Sequence, residues 1–460
     1  MLMIFKLLFN FCARHYIPLM ALMATLVLFL NFNGQGMSGL LPAYFDLKEI
    51  ILSGFDATEV PRADPAFPMW GYGWVFLLTE NKLVILVFQN AFSIFSIGYC
   101  FRLIEKNKYL PPGVMISAKL LMIIAVPWHA YNSLLWPYSI ANSLILLSLI
   151  LFIKAISSAQ KTTYPIIVSG LLFGLALNFR SDYYLFPVGL ILIIGIATQF
   201  NKQFLQKGAS WLALIYLALV PWGLYTKNAV GHYLITSTNS GAVLFIGLGS
   251  LPGNKWGITP SDGDPRMHRA IQSHFGEKKS FVSYEADQFL KTAFLKLISE
   301  DPAHFGKKLL HNLKRTILGG TYKGEFYESV DCYPQCHNNY TKNMATLLSN
   351  PSHYLILDTR SKSTIPFYLF SGIISSTLVL LSYLTLPFTF IHTMKNRNLL
   401  LIVVLCAIAY QTAINMVGNY LSTYTGNVFI FLLINLCMGI YFLIQFFLPE
   451  PQLEENKCAE

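Results

Sequence analysis

Charge is what this sequence has least of. Only 12% of its 460 residues are Asp, Glu, Lys or Arg, about half the ordinary soluble share of roughly 25%, which excludes a soluble domain of ordinary surface. Acid is scarcer than base, 23 against 33, and the net charge is +10. Glycine-rich phosphate loops of the GxGxxG or GxxxxGK(S/T) kind are missing, so nothing marks a nucleotide site. There is no internal repeat, and with it no sign of the matched halves of many transporters. Cysteine is sparse, and five of the seven, Cys12, Cys100, Cys406, Cys437 and Cys458, fall in apolar runs or near basic loops. They read as small apolar side chains or free thiols.

What is there is apolar, 54% hydrophobic with 15% aromatic residues. A span needs about 20 apolar residues to cross roughly 30 Å of hydrocarbon, and about ten segments qualify. They lie near 16–33, 83–101, 114–131, 135–153, 164–179, 184–199, 209–226, 366–392, 398–417 and 427–448. The reading is an all-α polytopic membrane protein. Lys and Arg fill every second connection: Lys6 and Arg14, Arg102, Lys106 and Lys108, Lys154 and Lys161, Lys202 and Lys207, Lys395 and Arg397. Basic loops stay cytoplasmic, so both ends are expected inside. Residues 34–80, the 178–187 hairpin, the 227–363 insert and residues 418–427 then share the outer face. The positive charge is mostly this topology signal rather than a nucleic-acid footprint, and no nucleic-acid partner is expected. The N-terminal stretch is read as the approach to a span and not as a signal peptide, because Arg14 interrupts its apolar run. The chain divides into a membrane core at 1–226, the insert at 227–363, membrane helices at 364–448 and a cytoplasmic tail at 449–460.

The outer segments hold the candidate chemistry. The first loop carries Asp46, Glu49, Asp56, Glu59 and Asp64. Within it DLKEIILSGF puts Leu47, Ile50, Ile51 and Phe55 at helical spacing, an interfacial helix that begins near Asp46. NFRSDYYLFP lodges Arg180 and Asp182 between apolar runs. A charge at bilayer depth costs roughly 2.5–3.5 kcal/mol on insertion scales. Arg180 is therefore either a functional cation or a snorkelling side chain paired with Asp182. Lys227 ends a span as a second cation or an interface anchor, and His129 in VPWHAYN is a substrate contact or a satisfied helix-end histidine. TSTNSG, with Asn239, suits a tight turn beside a ligand. Cys332 and Cys336 in DCYPQCHNNY read as a loop-stapling disulfide, with a metal site using His337 as the rival.

Several stretches resemble the GT-C glycosyltransferases that take sugars from polyprenyl-phosphate carriers, such as protein O-mannosyltransferases and lipid A aminoarabinose transferases. They are the aspartate-bearing first loop running into FPMWGYGWVF, GLLFGLALNFRSDYYLFP, PWGLYTKNAVGHYLITSTNSGAVLFIGLGSLPGN with its Leu-x-Ile-Gly strand, and EADQFLKTAFLKLISEDPAHFGKKLLHNLKR. The last outer loop departs from the pattern, since STYTGNVF offers Thr423 and Tyr424 without an Arg-Tyr pair or proline. The resemblance implies a GT-C-like fold with a mixed α/β outer insert. It also implies transfer from a polyprenyl-phosphate sugar to a lipid, glycan or protein acceptor on the outer side of the plasma (inner) membrane.

Such a transfer needs a base for the acceptor hydroxyl and cations for the departing phosphate. On that reading Asp46, with Asp64 second, supplies the base, and Arg180 and Lys227 hold the phosphate, with His129, Asp182, Asn239 and Tyr424 as substrate contacts. No metal ligand set stands out, although an acidic loop leaves room for a divalent metal. A lipid-linked sugar flippase and an O-antigen polymerase or ligase remain the alternatives.

Overall fold

The computed structural model describes residues 10–31, 41–55, 64–135, 137–158, 163–276, 279–318, 359–418 and 427–447. Among the described residues the regular structure is helical and no strand occurs. Eighteen α-helices lie wholly among the described residues. In the first half of the chain they are α1 (Tyr16–Asn31), α2 (Leu41–Leu52), α3 (Tyr72–Leu78), α4 (Lys82–Lys106), α5 (Pro112–Ile123), α6 (Val126–Asn132), α7 (Pro137–Ser157), α8 (Tyr164–Phe179) and α9 (Phe186–Ala197). The remainder are α10 (Lys202–Leu217), α11 (Val220–Val230), α12 (Ser240–Gly247), α13 (Pro265–Phe275), α14 (Tyr284–Glu300), α15 (Pro302–Leu318), α16 (Thr359–Asn396), α17 (Leu399–Val417) and α18 (Phe429–Phe447).

Among the described residues six segments are long and apolar enough to cross a membrane: Lys82–Lys106, Pro137–Ser157, Lys202–Val230, Ile373–Asn396, Leu399–Val417 and Phe429–Phe447. The chain is an all-α multi-pass membrane protein. The other four expected spans fall on the shorter apolar helices α1, α5, α8 and α9. At about 1.5 Å per residue, a 12-residue helix such as α5 covers only about 18 Å of the bilayer.

Helix starts follow the sequence closely. Proline occupies the first turn of α5, α8, α9, α11 and α13, where its missing N–H costs nothing. Asn81, Asn201 and Asn398 cap α4, α10 and α17 by accepting backbone N–H bonds. The most enclosed of these segments is Pro137–Ser157, most of whose side chains are buried, so α7 forms the centre of the bundle. Close approach comes from small residues. A Cβ on Gly170 or Gly174 would lie 2.7 Å from the Leu214 Cβ or 2.5 Å from the Ala218 Cβ, so this GxxxG pair sets the α8–α10 contact. Polar side chains tie the same helices together, with Trp211 donating to Ser169 at 2.8 Å and Ser169 to the Ser148 carbonyl at 2.7 Å.

Two expectations need correction. The described part of the insert, α12 to α15, is helical rather than mixed α/β. LFIG lies within α12 and not in a strand; so short an apolar run has no periodicity that separates the two states. The second concerns the first loop. Its helix exists and buries Leu47 and Ile50 as expected, but it packs on α3, with Phe45 stacked on Phe76 at 4.6 Å. It also starts at Leu41, which places Asp46 inside the helix and on its exposed side.

The insert has its own apolar core of Phe245, Leu248, Met267, Ile271, Leu290 and Phe294. Val417, the last residue of α17, packs against it. The membrane bundle and the insert therefore meet at the end of that helix.

Candidate functional site

At Arg180 the α8 helix ends: φ −150° and ψ 98° turn the backbone extended, and its N–H still bonds the Ala176 carbonyl at 2.9 Å. A short 3₁₀ turn, Ser181–Tyr183, follows before α9 begins. The turn brings the Asp182 carboxylate onto the guanidinium, with Nε donating to Oδ1 at 2.7 Å and Nη2 to Oδ2. The guanidinium lies 3.8 Å from the Tyr138 ring centroid and 5.4 Å from that of Tyr183. With Arg180 only 6% exposed, ring faces and a forked ion pair replace most of its water.

Neighbouring helices fix this turn. Tyr183 donates to Gln411 at 2.7 Å and Tyr410 to the Asp182 carbonyl at 2.6 Å, both residues of α17. Burial pushes the Tyr183 phenol far above its ordinary range, so it remains a neutral donor. Across from it, the Ser237–Asn239 turn links three segments. Ser237 reaches Ser181 at 3.1 Å, the Thr238 N–H donates to the Ala66 carbonyl, and the Thr238 hydroxyl donates to the Val282 carbonyl.

Of these residues Tyr138, Arg180, Ser181, Asp182, Ser237, Asn239 and Tyr410 line a partly polar cavity of about 570 Å³, within the usual size range of small-molecule sites. Its charged lining comprises Arg180, Asp182 and Lys291. Lys291 stands one turn beyond Asp287 on α14 and donates to its carboxylate at 2.6 Å. The other oxygen of Asp287 accepts the Gly241 N–H at 2.6 Å, at the start of α12. That approach requires glycine, since a Cβ at position 241 would lie 2.2 Å from the Asp287 carbonyl oxygen. Lys291 thus projects from a carboxylate anchored at a helix N-terminus, where negative charge is favoured.

A second cavity, about 830 Å³ and almost wholly apolar, lies among α9, α15, α16 and α17. Leu190, Leu313, Pro387, Cys406, Ala413 and Met416 are among its walls. On α17 the lining extends from Ile402 to Met416, about 21 Å along the axis at 1.5 Å per residue. Tyr410 lines both cavities, so the polar chamber and the apolar groove meet there.

Of the residues singled out from sequence, Arg180, Asp182 and Asn239 come together in the polar cavity. Asp64 lies beside it without lining it, accepting a bond from Ser280 at 2.9 Å, while the Phe67–Met69 stretch that follows forms part of the wall. Asp46 and Lys227 are exposed and outside the cavity. His129 is buried elsewhere, with Nε2 3.1 Å from the Met122 carbonyl oxygen. Tyr424, Cys332 and Cys336 lie outside the described residues. No group of three His, Cys, Asp or Glu side chains among the described residues is placed to hold a metal ion. Sequence reasoning missed Lys291 and Tyr410. The i,i+4 pair of Asp287 and Lys291 was the available signal for the first; a tyrosine in an apolar span gave none for the second.

The architecture defines a multi-pass membrane protein with a cation-bearing chamber beside a long apolar groove. No protein-family model matches the chain, and no curated protein or solved structure matches it.

Proposed function

We propose that this protein is a GT-C-like membrane glycosyltransferase with about ten spans. It moves a sugar from a polyprenyl-phosphate donor to a lipid, glycan or protein acceptor on the extracytoplasmic face of the plasma (inner) membrane. The observation that carries this reading is the adjacency at Tyr410 of a chamber with two cations and an apolar groove about 21 Å long. A donor with a charged, sugar-bearing head and a long isoprenoid tail needs both environments in contact. Each of the two cations is already held by a carboxylate, Arg180 by Asp182 and Lys291 by Asp287, so a donor phosphate would compete with these partners for the guanidinium and the ammonium.

Arg180 and Lys291 hold the phosphate and offset the charge that grows on it as the bond to the anomeric carbon breaks. Asp182 is the one carboxylate among the described lining residues. When the donor phosphate takes its place on the Arg180 fork, Asp182 is freed to accept the proton of the acceptor hydroxyl as the new bond to the anomeric carbon forms. Asn239 and the adjacent serines offer hydrogen bonds to sugar hydroxyls.

The test is transfer of radiolabel from polyprenyl-phosphate sugars by purified protein in detergent, with donor binding measured in parallel. Transfer that disappears in Arg180→Ala is the expected result. Movement of the lipid-linked sugar across liposomes without any transfer would replace this reading by a flippase.

A further inference from the structure

The cavity wall contributed by α17 ends at Ile414, Val417 and Gly418, and what holds that end is unusual. The last carbonyls of a helix have no intrahelical partners, and here a buried cation from another helix supplies them. The Lys308 side chain of α15 is fully enclosed, and its ammonium donates to the carbonyls of Met416 at 2.8 Å, Val417, and Gly418 at 2.9 Å. One turn on, Asn312 donates to the Asn415 carbonyl at 3.0 Å. From the other side Gly418 lies against α12, where an added Cβ would sit 3.4 Å from Val243, itself part of the cavity wall. The end of α17 is therefore gripped between two helices of the insert at the edge of the chamber.

A lysine buried for packing alone would be a poor choice. Burial pulls its ammonium down to about 7, and an apolar side chain of similar length would avoid that cost. The gain is specific, since a positive charge at a helix C-terminus meets the negative end of the dipole and satisfies three carbonyls together. Lys308 does not line the chamber. Whatever it does for a ligand, it does through α17.

We propose that Lys308, assisted by Asn312, is a positioning residue: by latching the end of α17 to the insert it sets the chamber wall formed by Ile414, Val417 and Gly418, and with it the affinity for the donor's phosphate head. This role rests on the function proposed above.

Binding of polyprenyl phosphate to the full-length protein in detergent, measured at pH 6 where the ammonium is charged, tests it alongside hydrogen exchange of the 414–418 amides. Lys308→Met keeps the length of the side chain and removes its donors; Asn312→Ala removes the neighbouring donor and decides the matter if Lys308→Met does not fold. The expected result is faster exchange at 414–418 and a Kd raised about ten-fold, the equivalent of about 1.4 kcal/mol, with binding stoichiometry unchanged. Lower stoichiometry at an unchanged Kd would reduce Lys308 to a fold-stabilising residue and overturn the proposal. So would unchanged exchange. Wild-type protein that fails to bind polyprenyl phosphate overturns the functional reading and the ligand role with it, while faster exchange in the variants would then show that the latch itself exists.

Discussion

The two cavities that meet at Tyr410 are built on opposite principles. Much of the chamber wall comes from turns and helix ends, where the backbone leaves its regular pattern and polar side chains converge: the end of α8, the 181–183 turn, the 237–239 turn and the end of α17, with Lys291 reaching in from the middle of α14. The groove is walled by the sides of four helices, and its surface is almost entirely hydrocarbon. Helix ends leave backbone groups to be satisfied and so attract polar partners, whereas helix middles in a membrane satisfy themselves and can present apolar faces alone. Head and tail of one amphiphile can thus be recognised by one fold without a charge being placed in the hydrocarbon-facing wall.

If that division is functional, substitutions in the two cavities should separate. The largest effect is expected at Arg180. Arg180→Ala should lower transfer by about 10²–10³-fold and weaken donor binding, since it removes the forked cation from both bound and departing phosphate. Arg180→Lys should recover only part, because a lysine cannot reproduce the fork or the stacking on Tyr138. Near wild-type rates in Arg180→Ala, measured by radiolabel transfer, would break the comparison.

The groove is probed next by Ala413→Trp. Overpacking of this kind costs about 1–3 kcal/mol, and it should fall on donors with long isoprenoid tails while sparing a short-tailed analogue. Equal losses for both tails, in a comparison of their KM values, would show that the groove is not the tail site. Lys291→Ala should have a smaller effect than either, about ten-fold in donor Kd, because Arg180 remains. Smallest of all are the changes at exposed positions outside the chamber: Asp46→Asn and Lys227→Ala should keep transfer within about two-fold, as surface substitutions usually do. A large loss in Asp46→Asn would return the base to the first loop.

That reversal of emphasis shows how far the sequence reached. Arg180 and Asp182 stood out as charges in an apolar context, and their cost in hydrocarbon pointed to use. Asp46 stood out in an acidic first loop and Lys227 at a span end, yet the latter points to the surface at the end of α11 and the former from the outward side of α2. Charge type and position near a span end are local properties, and the direction of a side chain around its helix is not. Lys291 is the converse case. In EADQFLK it reads as a solvated helical charge, and only the packing of α14 on α12 turns it toward the chamber.

The sequence by itself determined that the chain is helical and membrane-embedded, because long apolar runs with basic loops have no other stable arrangement in a bilayer. It also determined where many helices begin, through Pro112, Pro165, Pro187, Pro221 and Pro265 and the capping Asn81, Asn201 and Asn398. Tertiary structure alone decided which charges share a cavity, that LFIG is helix, and that Lys308 clamps a helix more than a hundred residues away. These outcomes depend on contacts between segments distant in the chain, and their energies exist only once the helices have packed.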